Sequence, residues 1–202
     1  TMNLPNKITI SRLIIAVIMI FFAVFPWANV GASSILTTLG NTGFTILDLI
    51  LAILFVVGSA TDAIDGKIAR KYNLITDFGK FFDPLADKFL VNSALIFLAC
   101  YGRIPALIII LMIGRDLAVD GIRFMAASKG EVIAANIFGK LKTVFQMVTI
   151  PFVMLNGFPF NYLFKEHTYI FLDVLLSITC AMSLISGFIY LYRGRKYIQC
   201  AK

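Results

Sequence analysis

Residues 61–87 read TDAIDGKIARKYNLITDFGKFFDPLAD, and long apolar runs lie on both sides of them. Asp62 and Asp65 are three residues apart, and Asp83 and Asp87 are four apart. On a helix, both spacings place the two side chains on one face. The stretch therefore predicts the facing ends of two helices, joined by a short loop, with two carboxylates on each helix.

The composition favours a membrane protein. Hydrophobic residues make up 59% of the 202 residues and charged residues 14%, against roughly 25% in soluble domains. The net charge of +7 would suggest a nucleic-acid partner in a soluble protein. Here the basic residues flank apolar runs, so we expect an anionic membrane face and no nucleic acid.

Hydropathy and charge together predict an all-α integral membrane fold with six transmembrane helices in a single domain over residues 2–202. Placing both termini in the cytoplasm puts sixteen of the eighteen basic residues on the cytoplasmic side and leaves Arg103 and Lys165 outside. We therefore expect a multi-pass protein of the cell membrane, with its acidic cluster at the cytoplasmic face. The predicted spans are residues 8–26, 43–65, 83–101, 103–127, 138–157 and 168–192.

Four carboxylates at membrane depth repel each other unless they are paired or bind metal. An all-oxygen ligand set favours hard cations, and four carboxylates are enough to bridge two of them. Two such ions suit phosphoryl transfer, because they neutralise the transferring group and the leaving group. The alternative is that these aspartates are solvated or pair with nearby lysines. His167 is the only histidine, which disfavours a histidine metal cluster or a Ser-His-Asp triad.

The spacing D-x2-D-G-x2-A-R-x8-G-x3-D-x3-D resembles the signature of the CDP-alcohol phosphatidyltransferase family. It is met at every fixed position, by Asp62, Asp65, Gly66, Ala69, Arg70, Gly79, Asp83 and Asp87. The resemblance implies six transmembrane helices and a homodimer. It also implies two Mg²⁺ or Mn²⁺ ions as cofactors.

The resemblance further implies residue roles. Asp62, Asp65, Asp83 and Asp87 would be metal ligands, and Asp87 would also be the general base that takes the proton from the acceptor alcohol. The CDP-bearing donor would contact Asn6, Asp62, Gly66, Ala69, Arg70 and Gly79.

Further segments are similar to the same family. Residues 3–12 resemble its amino-terminal segment, in which Pro5, Asn6, Thr9 and Arg12 occupy recurring positions. Residues 114–123 and 139–146 are similar to the branch that makes phosphatidylglycerophosphate, although Asp116 stands where that branch often has Glu.

The remaining basic residues bear on the acceptor, because a phosphorylated alcohol needs a cationic pocket at the membrane surface. The candidates for binding the acceptor phosphate are Arg115, Arg123, Lys140, Lys142 and Arg193. Ordinary basic flanks of transmembrane helices are the alternative interpretation. Asp116, Asp120 and Arg123 also have the spacing of a charge ladder along one helix.

The expected reaction is transfer of the phosphatidyl group from CDP-diacylglycerol to sn-glycerol 3-phosphate, which gives phosphatidylglycerophosphate and CMP in phospholipid synthesis. Two alternatives remain. One is a related transferase that uses inositol phosphate or another acceptor. The other, from a different class, is a divalent-cation transporter, since carboxylates within a membrane also carry ions.

Overall fold

The computed structural model of the chain describes residues 4–40, 42–71, 77–131, 137–164 and 167–199. Side chains are described for these residues except 4, 5, 7, 8, 62–81, 162 and 196–199. Within the described residues the chain is helical, and its only β structure is an isolated bridge between Thr38 and Thr45. The helices are α1 (Leu4–Val24), α2 (Ile46–Lys71), α3 (Asp77–Cys100), α4 (Ala106–Ser128), α5 (Ile137–Met154), the one-turn α6 (Asn161–Phe164) and α7 (Thr168–Gln199).

The all-helical prediction is confirmed, and each predicted span falls on one long helix. Helix α5 and the Thr168–Arg195 part of α7 are long and apolar enough to cross a membrane. The apolar parts of α1 and α2, Thr9–Val24 and Ile46–Thr61, are shorter. Helices α3 and α4 have charged residues concentrated in the first half of α3 and in the middle and second half of α4, several of which line the cavity described below.

The core changes from apolar to polar along the bundle. At the end where α2, α4 and α7 begin, a cluster of buried aliphatic and aromatic side chains that includes Leu51, Phe55, Leu95 and Met112 fills the interior. Toward the other end, the buried positions of α5 and α7 become polar. These are Lys142, Gln146 and Thr149 on α5, and Thr179, Ser183 and Ser186 on α7.

The polar residues continue regular helical stripes. The buried residues of α7 recur at intervals of four and three, from Leu172 through Ser183 to Tyr190, which keeps them on one face. This face packs against α4 and α5, and the hydroxyls of Thr149 and Thr179 are 2.8 Å apart across the α5–α7 contact. The sequence thus builds a polar seam into a helix contact that is otherwise apolar.

The apolar end of the bundle is closed by Asp48 and Arg103. Thr45 and Asp48 form a reciprocal cap at the start of α2, with bonds of 2.8 and 3.1 Å between each backbone N–H and the other side chain. Asp48 is 1% exposed and also accepts a 2.6 Å bond from Arg103 Nη2. The same guanidinium donates to the carbonyl of Met154, so it joins the ends of α2 and α5 to the α3–α4 turn.

The opposite end is joined by Thr9 and Asp83. The Thr9 hydroxyl donates to Asp83 Oδ1, which connects α1 with the start of α3. Arg12, less than one turn beyond Thr9, is fully buried. The amino-terminal segment therefore packs directly on the second half of the aspartate motif.

Candidate active site

Asp83 and Asp87 lie one turn apart near the start of α3, and both are half-buried. Asp83 holds the Thr9 hydroxyl, and Asp87 lines a cavity at this end of the bundle. Pro84, between them, has no backbone N–H to donate within the helix.

The other half of the aspartate motif is described only as backbone. Asp62, Asp65, Gly66, Ala69 and Arg70 lie on α2, and Gly79 lies on α3. Their side chains and surroundings are outside the described part of the chain, so the four-carboxylate metal site stays a prediction. Asn6, on the first turns of α1, is half-buried.

A cavity of about 310 Å³ lies between α3, α4, α5 and α7. It brings Asp87 together with four of the five residues predicted to bind the acceptor phosphate, namely Arg115, Arg123, Lys140 and Lys142. The fifth, Arg193, is exposed on α7 and is not part of the lining. Exposed Arg123 and Lys140 lie toward solvent, and buried Lys142 lies within.

Asp116 is the electrostatic centre of this cavity. Lys142 Nζ lies 2.5 Å from both Asp116 oxygens, and Arg115 Nη1 lies 2.6 Å from Asp116 Oδ1. Lys142 is 4% exposed and Asp116 is 8% exposed. One carboxylate therefore pairs with two largely buried cations, which offsets part of the cost of burying them and leaves the trio with a net charge of +1.

Arg115 is fixed by α7 as well. Its Nη2 donates a 2.5 Å bond to the Ser186 hydroxyl. A side chain at Gly187 would come within 2.6 Å of Arg115 Cγ, so the guanidinium stem lies directly on this glycine. Arg115 is thus held between Asp116 on its own helix and Ser186 on α7.

The three charges that suggested a ladder along α4 instead bond to three other helices. Asp116 bonds to Lys142 on α5, Asp120 pairs with Lys88 on α3, and the Arg123 guanidinium lies 5.4 Å from the centre of the Tyr190 ring on α7. Such a cation–π contact adds roughly 0.5–1 kcal/mol at an exposed site. The ladder spacing therefore serves to join α4 to its neighbours.

Sequence reasoning missed several lining residues, among them Lys88, Gln146 and Tyr190. Lys88 directly follows Asp87, and Gln146 ends a segment that resembles the family. Both could therefore have been predicted as site residues from their position in the sequence. Tyr190 and the Arg115 contact with Gly187 carried none, because they depend on how α7 packs.

The cavity has the chemistry of a site for a small phosphorylated molecule. Its lining contains five basic side chains and the three carboxylates Asp87, Asp116 and Asp120, so positive charge is in excess. A carboxylate suited to take a proton thus faces a surplus of cations suited to hold a phosphate.

Comparisons with known proteins agree with this chemistry. Residues 2–185 match the family model described as CDP-alcohol phosphatidyltransferase. The chain is 40% identical over 190 residues to a Bacillus subtilis protein named CDP-diacylglycerol–glycerol-3-phosphate 3-phosphatidyltransferase, with 93% of each chain covered. It is 39% identical to the Mycoplasma pneumoniae protein of that name, over 81% of this chain and 71% of the relative. Identity to the Rickettsia felis protein of that name is 34%, over 96% and 97%.

The Asp116 network predicts a large effect of a small substitution. Asp116→Asn leaves Lys142 buried without its carboxylate, which is expected to cost about 3–5 kcal/mol of stability. The apparent thermal midpoint of the detergent-solubilised protein should therefore fall well below that of the wild type. Asp116→Glu keeps the charge and should lose less.

Asp173→Asn is the matched control, because Asp173 is exposed on α7, and it should change stability by no more than about 0.5 kcal/mol. If the Asp116→Asn protein were as stable as the Asp173→Asn protein, the Asp116 network would not be what holds α4 and α5 together.

Proposed function

Because the chain belongs to the CDP-alcohol phosphatidyltransferase family, we propose that it transfers the phosphatidyl group of CDP-diacylglycerol to sn-glycerol 3-phosphate. The products are phosphatidylglycerophosphate and CMP. The observation that carries the choice of acceptor is the cavity in which Asp87 shares a lining with Arg115, Arg123, Lys140 and Lys142. The reaction requires deprotonation of the C1 hydroxyl of glycerol 3-phosphate and binding of its phosphate, and this cavity offers groups for both.

The metal-ligand set we propose is Asp62, Asp65, Asp83 and Asp87, with two Mg²⁺ or Mn²⁺ ions. Asp83 and Asp87 supply oxygen donors one turn apart on α3, which suits hard cations. When bound, such ions neutralise charge on the transferring phosphoryl group and on the departing CMP. Donor contacts are assigned to Asn6, Asp62, Gly66, Ala69, Arg70 and Gly79.

Asp87 acts as the base. It takes the proton from the C1 hydroxyl of the acceptor, and that oxygen forms a bond to the phosphorus that carries diacylglycerol. The bond from this phosphorus to the CMP phosphate breaks, and CMP leaves. Thr9 orients the neighbouring carboxylate of Asp83.

The four basic lining residues hold the acceptor phosphate, namely Arg115, Arg123, Lys140 and Lys142. Arg193, which is exposed on α7 outside the lining, stays a predicted contributor. Asp116 fixes Arg115 and Lys142 in place while leaving a positive surplus in the cavity. Fixed cations of this kind position an anionic substrate before the reaction and thereby lower its entropic cost.

We propose a six-span, multi-pass protein of the cell membrane, with both termini and the active site at the cytoplasmic face. Large apolar side chains such as Leu107, Ile110, Leu117 and Phe188 are more than half exposed, which suits contact with lipid. Lateral entry would let the donor keep its tails in the bilayer. Labelling of single cysteines from each side of sealed vesicles checks this topology.

A homodimer is the proposed assembly, and the mass of the protein in detergent micelles measures it. A cation transporter is less well supported, because the described core beyond the cavity is filled by apolar side chains. Release of CMP separates the two functions directly.

The acceptor assay tests the proposed function. Purified protein with CDP-diacylglycerol and Mg²⁺ or Mn²⁺ should release CMP when sn-glycerol 3-phosphate is added. Inositol phosphate, serine and choline should each give little. CMP release with inositol phosphate and none with glycerol 3-phosphate would overturn the assignment of the acceptor.

Asp87→Asn should abolish most turnover, because the amide has nearly the same shape and cannot take the acceptor proton. General base catalysis contributes typically 10²–10⁴-fold, so we expect a loss of that order in kcat. Asp173→Asn, remote from the cavity, should retain wild-type kcat. If Asp87→Asn also turns over at the wild-type rate, Asp87 is not the base.

Chelation tests the metal proposal. Addition of EDTA should abolish CMP release, and excess Mg²⁺ or Mn²⁺ should restore it. Full activity in metal-free buffer containing EDTA would contradict the two-ion site.

A further inference from the structure

Gln146 is a buried polar side chain with no role in the reaction as described so far. It is 3% exposed, and among the described residues nothing accepts a hydrogen bond from its Nε2. A buried donor left without an acceptor costs about 1–3 kcal/mol. Such a cost within an apolar helix calls for an acceptor that the described part of the chain does not provide.

The position of Gln146 indicates where that acceptor belongs. Gln146 lines the cavity that also holds Asp87, Arg115 and Lys142. It lies one turn beyond Lys142 on α5, about 6 Å further from the α5 amino terminus. Gln146 thus lines the cavity further along α5 than Lys140 and Lys142 do, on the side toward the apolar core.

We propose that Gln146 is a specificity-determining residue whose Nε2 donates a hydrogen bond to the secondary hydroxyl of the acceptor. The inference rests on the proposed function. Glycerol 3-phosphate has three polar groups, and the cations and Asp87 account for the phosphate and the C1 hydroxyl. The C2 hydroxyl remains, and its oxygen accepts a hydrogen bond from an amide N–H.

This hydrogen bond predicts that the enzyme prefers acceptor alcohols with a second hydroxyl on the carbon next to the reacting one. A site built to hydrogen-bond a hydroxyl rejects the analogue that lacks it, because its own buried group is then left without a partner. With 3-hydroxypropyl phosphate, which lacks only the C2 hydroxyl, kcat/KM of the wild type should be about 10- to 100-fold lower than with glycerol 3-phosphate.

The test is the acceptor ratio, defined as kcat/KM with glycerol 3-phosphate divided by kcat/KM with 3-hydroxypropyl phosphate. It is measured in the wild type and in Gln146→Met, which keeps most of the side-chain volume and removes the donor. In Gln146→Met the ratio should fall to about one, because activity with glycerol 3-phosphate drops and activity with the analogue does not. Gln146→Leu gives a second variant without the donor, should the Met protein fail to fold. A defect that is merely structural would lower activity with both acceptors and leave the ratio unchanged.

Ser183→Ala is the matched control. Ser183 is fully buried, its Oγ has no hydrogen-bond partner among the described residues, and it does not line the cavity. The acceptor ratio of this variant should equal that of the wild type.

Two results would overturn the inference while leaving the proposed function intact. One is a wild-type enzyme that uses both acceptors equally well. The other is a folded Gln146→Met protein that keeps the wild-type ratio. Absence of CMP release with either acceptor in the wild type would overturn the proposed function itself.

Discussion

The buried carboxylate of Asp116 is the interaction on which the arrangement of α4, α5 and α7 around the cavity depends. It binds Lys142 of α5 and Arg115 of its own helix, and Arg115 in turn binds Ser186 of α7. Two cations and one anion in an apolar surrounding are stable only when each is paired in good geometry. The charges therefore connect α4 to α5 directly through Asp116 and Lys142, and to α7 through Arg115 and Ser186.

The same network explains why the bundle is polar at one end and apolar at the other. Buried cations need nearby acceptors, and Ser186 on α7 accepts a hydrogen bond from Arg115. Gln146 and Ser183 are further buried polar residues on the same faces of α5 and α7. Further along the same faces, where the charges end, the helices pack through Val153, Met154 and Leu172. The apolar half gives rigidity, and the polar half gives a cavity whose groups are held in place.

Much of the fold follows from the sequence. The six long helices could be predicted from apolar runs and turn residues. The placement of two aspartates on α2 and two on α3 could be predicted from their spacing, because it depends only on neighbours along one helix. The gathering of Arg115 with Lys140 and Lys142 followed from their shared end of the bundle. Which charge pairs with which did not follow, because Asp116 and Lys142 are 26 residues apart, and Arg115 and Ser186 are 71 apart.

The charges of α4 show why contacts between helices could not be predicted from the sequence. Spacing along α4 correctly places Asp116, Asp120 and Arg123 near one face, but it says nothing about which helices surround that face. The partners Lys88, Lys142 and Tyr190 come from three other elements, and each became identifiable only once the packing was known.

The charge of the cavity also bears on which alcohols it accepts. Were all five basic lining residues without counter-ions, their mutual repulsion in a site of low dielectric constant would destabilise the bundle. The three lining carboxylates Asp87, Asp116 and Asp120 leave a surplus of two positive charges, which a phosphate group of charge near −2 can neutralise. An uncharged alcohol or a choline cation would leave that surplus uncompensated. The balance between Asp116 and its cations therefore favours a phosphorylated acceptor while keeping the empty cavity stable.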